Sequence, residues 1–226
     1  PMRGQLGMKG VDLATLTGAL FTKARGSIKG TLIADSNFNG FAGTDDILAA
    51  LNASGDFDLK DGEVKGSPLL AEFSQFLSSS ELDILGFSRL YGKYGLKKRQ
   101  GTIAAKLESH RVTFAPQGSF SLDGPLNLSM ETRISPELIA KSRLGGKGAE
   151  LLKDDNGWTL LPLKVKGTYS KPRLILDSSG VKKQLKKGVA NELGRQLQKK
   201  LGGAEDPQSQ QLQKLFDGTL KKLFGN

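Results

Sequence analysis

Four carboxylates within twelve residues are the first group in the sequence whose type and spacing could do chemistry. The stretch GDFDLKDGEVKG, residues 55–66, carries Asp56, Asp58, Asp61 and Glu63. Carboxylates are calcium ligands, but an EF-hand loop needs them at fixed positions and a bidentate Glu at the twelfth. Here they alternate with apolar side chains, which is the geometry of a strand. The stretch is therefore predicted to be a β-hairpin that turns at its Asp-Gly pair, with a solvated acidic face and no metal.

The other catalytic residue types are scarce. His110 is the one histidine, and its neighbours Glu108 and Ser109 do not make it a triad, because triad members meet by geometry and not by adjacency. The absence of cysteine excludes thiol catalysis, disulfides and cysteine-ligated zinc. The glycine-rich segment 143–150 lacks the Gly-Lys-Ser/Thr of a phosphate-binding loop. No catalytic residue, metal or cofactor is predicted, and a hydrolase or carbohydrate enzyme is the disfavoured rival.

The net charge of +10 is concentrated near the C-terminus. Residues 181–201 hold seven basic side chains against the single acidic Glu192. The seven are Lys182, Lys183, Lys186, Lys187, Arg195, Lys199 and Lys200. They are interpreted as a surface for anionic membranes, with a plain solvated helix face as the alternative. Nucleic acid is disfavoured, because no aromatic residue interleaves with these charges.

A stripe of apolar residues runs through the same segment with a period of four. Its members are Val181, Leu185, Val189, Leu193, Leu197 and Leu201. Steps of four residues advance about 400°, so the stripe winds around the helix by about 40° per step. Such a stripe fits a curved partner, such as the end of a twisted sheet, better than a flat membrane.

The clearest strand pattern lies in residues 119–134. Six apolar side chains fall on even positions there: Phe120, Leu122, Leu126, Leu128, Met130 and Ile134. Either the run is one long strand, or a turn at 123–125 splits it. Because side chains alternate across a strand, the six are predicted to line an apolar surface that binds lipid acyl chains. The alternative, that helices cover this face as an ordinary core, stays open.

The remaining patterns complete an α+β reading. Strands are predicted at 27–38, 102–107, 112–114 and, around a turn at 170–172, within 158–176. Helices are predicted at 68–77, 81–91 and 136–144, and a short one within 43–52 that Gly43 or Thr44 caps. The expected fold is a long, curved, groove-like antiparallel sheet with short interstrand helices. Residues 1–177 form this β-rich domain, and residues 178–226 form a basic amphipathic helical tail.

The order of several short motifs resembles the C-terminal region of AsmA-family proteins. Residues 55–66 match its G-x-F-x-L-x-D-G-x-V-x-G hairpin, and the helix of small and apolar residues follows. The segment GSFSLDGPLNLSM is similar to its later strand, and LPLKVKGTYSKPRLILD to its closing hairpin. The resemblance covers most of residues 5–177.

This resemblance implies a non-catalytic bacterial envelope protein. Family members are tethered to the inner membrane, project into the periplasm and support outer-membrane biogenesis, including phospholipid movement along an apolar β-lined groove. The chain is accordingly expected in the periplasm, anchored through a segment that this sequence does not contain. Phospholipid or a membrane surface is the expected partner, with other envelope proteins as further candidates and no nucleic acid or small-molecule substrate. The alternative is a structural or protein-interaction module.

Overall fold

A computed structural model of the chain describes residues 2–15, 27–40, 46–142 and 152–186. Within these residues, nine strands form one antiparallel sheet whose spatial order is the sequence order, and the sheet they form does not close on itself. The strands are β1 (Met2–Asp12), β2 (Ile28–Gly40), β3 (Asn52–Lys65), β4 (Ile84–Lys97), β5 (Gln100–Glu108), β6 (Val112–Ser121), β7 (Leu126–Ile134), β8 (Thr159–Gly167) and β9 (Pro172–Leu176). Three helices lie wholly within the described residues, α1 (Ile47–Ala50), α2 (Pro68–Leu77) and α3 (Pro136–Ala140), with a 3-10 turn at Ser80–Leu82; residues 13–15 and 178–186 are also helical. The predicted combination of a long antiparallel sheet and short helices is confirmed.

Strand register gives the sheet one apolar and one polar face. Leu90 of β4 lies opposite Leu107 of β5, which lies opposite Phe114 of β6. Because side chains alternate along each strand, these pairings align the apolar positions of successive strands on one side. The other side, called the outer face below, carries mostly charged and polar residues.

Helices cover one end of the apolar face. Helix α2 begins at Pro68, whose missing N–H costs nothing at that position. It ends at Ser78, which adopts a left-handed conformation with φ 56°. Phe73 of α2 is 1% exposed, and its ring meets that of Phe114 edge-on at 4.8 Å between centroids. Leu138 of α3 is buried against the same core. The core therefore occupies the end of the sheet where β3 finishes and β4 starts.

The predicted hairpin at residues 55–66 is wrong. The Asp-Gly pair lies inside β3, where Asp61 has φ 49° and the pairing with β2 shifts by one residue between Lys29 and Thr31. This is a β-bulge, which inserts one extra residue into a strand. It places Leu59 before it and Val64 after it on the same apolar side, although their numbers differ in parity.

A second prediction, the helix at 81–91, is also wrong. After the 3-10 turn the chain enters β4, whose Leu85 and Phe87 are both buried on alternating positions. The apolar residues of this stretch fit either a helical or a strand period. Because β4 pairs with β3 on one side and β5 on the other, the stretch is a strand. The capping residue of α1 is Asp46, whose Oδ1 accepts the N–H of Ala49 at 3.1 Å; the predicted caps, residues 43 and 44, lie outside the described residues.

Other predicted elements are confirmed. Strands occupy the places expected at 27–38, 102–107 and 112–114, and β8 and β9 flank the turn near residues 168–171. The run 119–134 is split, because β6 ends at Ser121 and β7 begins at Leu126. Helix α3 is shorter than predicted and ends at Ala140.

Only the start of the predicted tail is described. Residues 178–186 are helical, and Val181 and Leu185 pack against the core of the sheet. Lys182, Lys183 and Lys186 are exposed. The other predicted membrane-surface residues, Lys187, Arg195, Lys199 and Lys200, lie outside the described residues, as does segment 143–150. Among the helices that the structure describes, none has the length and apolar character of a bilayer span.

Candidate functional site

Five apolar side chains lie at the end of the apolar face that the helices of the core do not reach. They are half-buried and stand outside the buried core and its packed border. We call Phe38, Tyr94, Leu96, Ile103 and Phe120 the open apolar patch. They come from β2, β4, β5 and β6.

We call a row of residues that lie directly opposite one another on successive strands a rung. Two neighbouring rungs of the sheet contain the patch. In the outer rung, Phe38 lies opposite Ala53, which lies opposite Leu96, and the rung continues through Gly101 to Phe120. Strands are spaced about 4.8 Å apart, so the distance from β2 to β6 is roughly 19 Å. That span is similar to the length of an extended acyl chain, and it runs across the strands.

Large rings in the patch lie over glycines of the neighbouring strand. A Cβ built on Gly101 would overlap the ring of Phe120, and a Cβ on Gly4 would come within 2.7 Å of the ring of Phe38. Glycine leaves the space that lets each ring lie down against the sheet. The patch is therefore a low apolar surface and not a row of upright side chains.

One polar contact crosses the inner rung. The hydroxyls of Tyr94 and Ser36 are 2.7 Å apart, although β3 lies between their strands. The residue of β3 at this rung is Gly55, opposite both Ser36 and Tyr94. The contact can form because Gly55 places no side chain between the two hydroxyls.

Arg99 fixes the connections at the open end of the sheet. It lies in the β4–β5 turn, and its Nε and Nη2 donate to the two carboxylate oxygens of Asp46, at 3.0 and 2.8 Å. Its Nη1 also bonds to Asp123 in the β6–β7 turn. Bidentate guanidinium–carboxylate pairs add geometric specificity. Arg99 thus ties α1 and two turns together beside the patch.

The six predicted lipid-binding residues do not form one surface. Phe120 belongs to the open apolar patch, and Leu126 and Leu128 form its border with the core. Leu122 lies in the turn after β6 and is 39% exposed. Met130 and Ile134, 2% and 0% exposed, are core residues beneath the helices. Met130 and Ile134 therefore pack as ordinary core. The reason is that residues 119–134 run from the open end of the sheet to the end that the helices cover.

Sequence reasoning missed Phe38, Tyr94, Leu96 and Ile103 as members of a common site. The alternation of Tyr94 and Leu96 in YGKYGLK was a usable signal, but the preceding residues were assigned to a helix. The grouping itself depends on the register between four strands, which no local pattern contains.

Three acidic residues of segment 55–66, Asp56, Asp58 and Glu63, lie on the outer face beside cations. Asp58 accepts two hydrogen bonds from Arg89, each 2.9 Å, and these bonds lower the pKa of Asp58. Asp56 lies 3.5 Å from Lys93 Nζ. These carboxylates take part in cross-strand ion pairs, which are arrangements that stabilise sheets modestly. His110 lies in the connection between β5 and β6 and is exposed.

Comparison with protein-family models, curated proteins and solved structures finds no match.

Proposed function

We propose that the chain is a non-catalytic lipid-binding protein of the bacterial envelope, AsmA-like, which holds phospholipid acyl chains on the open apolar patch. The observation that carries the proposal is the patch itself: a low apolar surface about 19 Å across, outside the packed core. Contiguous exposed apolar surface on a soluble domain usually marks a binding site.

The chemistry of the patch suits an acyl chain. Its side chains are aliphatic or aromatic, and its one polar pair, Tyr94 with Ser36, satisfies itself. A polar substrate would find no charged partner among these five residues. Burial of apolar area contributes about 25 cal/mol per Å², so a chain lying along both rungs would gain affinity without specific hydrogen bonds.

The localisation and partners follow from the resemblance. We place the protein in the periplasm, tethered to the inner membrane, where phospholipid and other envelope proteins are available. The exposed lysines of the helical segment 178–186 support an additional contact with an anionic membrane surface.

A matched pair of variants on β5 tests acyl-chain binding. Ile103 lies in the patch, and the adjacent Ala104 is exposed on the outer face. Ile103→Asp and Ala104→Asp add the same charge to the same strand on opposite faces. Native mass spectrometry of the purified proteins should detect phospholipid on the wild type and on Ala104→Asp, and none on Ile103→Asp. Circular dichroism should show all three folded.

Two outcomes would contradict the proposal. One is a wild-type protein that carries no lipid and takes up none from phospholipid vesicles. The other is equal lipid occupancy in Ile103→Asp and Ala104→Asp. Met130→Asp serves as the core reference, because burying an unpaired carboxylate at a site 2% exposed should unfold the domain.

The edges of the sheet favour a second candidate, a protein-interaction module. At one edge the short strand β9 starts with Pro172, and its Leu174 N–H donates to Glu72 Oε1 of α2 at 3.3 Å. At the other edge, β1 has eleven residues and, among the described strands, pairs with β2 alone. Long unprotected edges are templates for strand addition. Binding of a partner protein without lipid uptake would favour this candidate.

A further inference from the structure

The outer face changes character directly behind the open apolar patch. Nearer the helices its charges are paired, as in Asp58 with Arg89 and Asp56 with Lys93. In the next two rungs, towards the open end, amides and hydroxyls replace the carboxylates. Asn37, Ser54, Gly95 and Thr102 lie opposite one another in one rung, and Asn39, Asn52 and Lys97 in the other.

An open trough of about 670 Å³ lies over these two rungs. Its floor is Gly95, which leaves a gap in the rung between Ser54 and Thr102. A volume of this size lies within the range of small-molecule sites, roughly 300–1,000 Å³. Unlike most such sites, it is lined mainly by amides and hydroxyls, with Ala53 and Leu96 as its apolar side chains, and Lys97 is the single charged residue among its described lining.

The hydrogen-bonding groups of the trough are mostly unused by the protein. Asn52 Nδ2 donates to Asn39 Oδ1 at 2.9 Å, which leaves the Asn39 amide with its own NH₂. Asn37, Ser54 and Thr102 make no side-chain hydrogen bond to any described residue, and Lys97 forms no ion pair within the described part of the chain. The neighbouring rung, by contrast, pairs its charges across the strands.

We propose that this trough binds a glycan. A neutral sugar offers hydroxyls that both donate and accept, which matches amides and hydroxyls that can do the same. An acyl chain would leave these polar groups unpaired, at about 1–3 kcal/mol for each one buried. The carboxylates of the neighbouring rung, such as Asp56, disfavour an anion, and the Lys97 ammonium can donate to a ring or hydroxyl oxygen of the sugar. The proposed role is binding and not hydrolysis, because the described lining of the trough holds no carboxylate, and glycoside hydrolysis ordinarily uses a pair of them.

Two glycine variants on β4 test the site. A Cβ on Gly95 would fill the floor, where Thr102 Oγ1 at 3.0 Å is its nearest neighbour. A Cβ on Gly86 would meet only Gly62 O, at 4.0 Å. Neither glycine has a positive φ. Amide NMR of the wild type with millimolar maltotetraose or chitotetraose should shift trough resonances. Gly86→Val should bind equally, and Gly95→Val at least tenfold more weakly.

A variant that changes hydrogen bonding without filling space keeps the test decisive if Gly95→Val perturbs folding. Asn37→Leu removes both amide functions from an exposed position and should weaken sugar binding, while the melting temperature stays the same. The proposal is overturned if neither sugar shifts the trough, if Asn37→Leu and Gly95→Val bind as the wild type does, or if only inorganic phosphate produces the shifts. Lipid occupancy of Ile103→Asp is measured separately, so failure of the glycan site leaves the acyl-chain proposal standing.

Discussion

The hydroxyl of Tyr94 on β4 meets the hydroxyl of Ser36 on β2 at 2.7 Å, across a strand that separates them. The contact needs Gly55, because a Cβ there would lie 3.0 Å from Ser36 Oγ and 2.9 Å from Ser36 Cα. Three strands thus contribute one residue each to a polar bridge inside an apolar surface. The bond restrains the Tyr94 side chain, whose hydroxyl reaches across β3 to Ser36.

Removing the Tyr94–Ser36 bond should lower stability by a modest amount. We expect Tyr94→Phe and Ser36→Ala each to cost about 0.5–1.5 kcal/mol, the usual net value of a neutral hydrogen bond. The double variant should cost less than the sum, because both single changes remove the same bond. Urea unfolding of the four proteins measures this. Strict additivity would mean that the two hydroxyls do not interact in solution.

Filling the space at Gly55 should be more damaging. Gly55→Ala would overlap the backbone of Asp35 and Ser36, and overpacking costs about 1–3 kcal/mol. Gly86→Ala on the neighbouring strand is the control, since its new methyl meets only Gly62 O at 4.0 Å. Thermal unfolding should rank the wild type and Gly86→Ala close together and Gly55→Ala well below. Equal melting temperatures would show that β3 can move away from β2 without cost.

The sequence predicts those elements whose residue pattern lies within a single strand or helix. Alternation along β2, β5, β7 and β8 is a property of each strand alone, and those strands were predicted. The Asp61-Gly62 pair is a strong local signal for a turn. In the structure the positive φ of Asp61 belongs to a β-bulge instead, and which of the two forms depends on the pairing of β3 with β2 and β4. The patch was missed for the same reason, because Phe38 and Phe120 come to lie on one rung only through the register of the strands between them.

Asp154 should make stability depend on pH in the acid range. Burial raises the pKa of Asp154, but hydrogen bonds from Arg133 Nε at 3.0 Å and from the N–H groups of Trp158 and Asn156 outweigh it, so the pKa lies below its ordinary value. A lowered folded-state pKa adds stability above the unfolded value, about 3.9, which is lost as pH falls through the folded one. Asp154→Asn should therefore cost about 1–3 kcal/mol at pH 7.

The measurement is urea unfolding of the wild type and Asp154→Asn at several pH values between 2 and 7. The difference between the two should shrink as the pH falls below the ordinary carboxyl range, because the wild-type carboxylate then becomes protonated. Asp83→Asn, at an exposed position, is the control. A constant difference at all pH values would mean that the charge of Asp154 contributes nothing.

The basic segment 181–201 should bind anionic membranes weakly and with salt sensitivity. Lys182 and Lys183 are exposed, whereas Val181 and Leu185 pack against the sheet, so the membrane contact at this start of the segment is electrostatic. Each basic residue near the surface contributes on the order of 1 kcal/mol, and salt screens it. Flotation with phosphatidylserine vesicles should fall on raising the salt, and Lys182→Glu/Lys183→Glu should reduce it. Equal flotation with neutral vesicles would contradict the electrostatic interpretation.

The bulge at Asp61-Gly62 should be intolerant of a side chain at its second residue. Gly62 lies opposite Phe87, and a Cβ on Gly62 would overlap both the Phe87 ring and the backbone oxygen of Lys29. Gly62→Val should therefore destabilise the fold by about 1–3 kcal/mol through overpacking, although φ at this position is not positive. Asp61→Gly should be neutral or mildly stabilising, since Asp61 carries the strained φ of 49°.

Calorimetry of each protein should give the same melting temperature in calcium as in a chelator. A large calcium-dependent shift would contradict the assignment of Asp56, Asp58 and Glu63 to ion pairs. A Gly62→Val protein with the stability of the wild type would mean that the Phe87 ring can move away from residue 62.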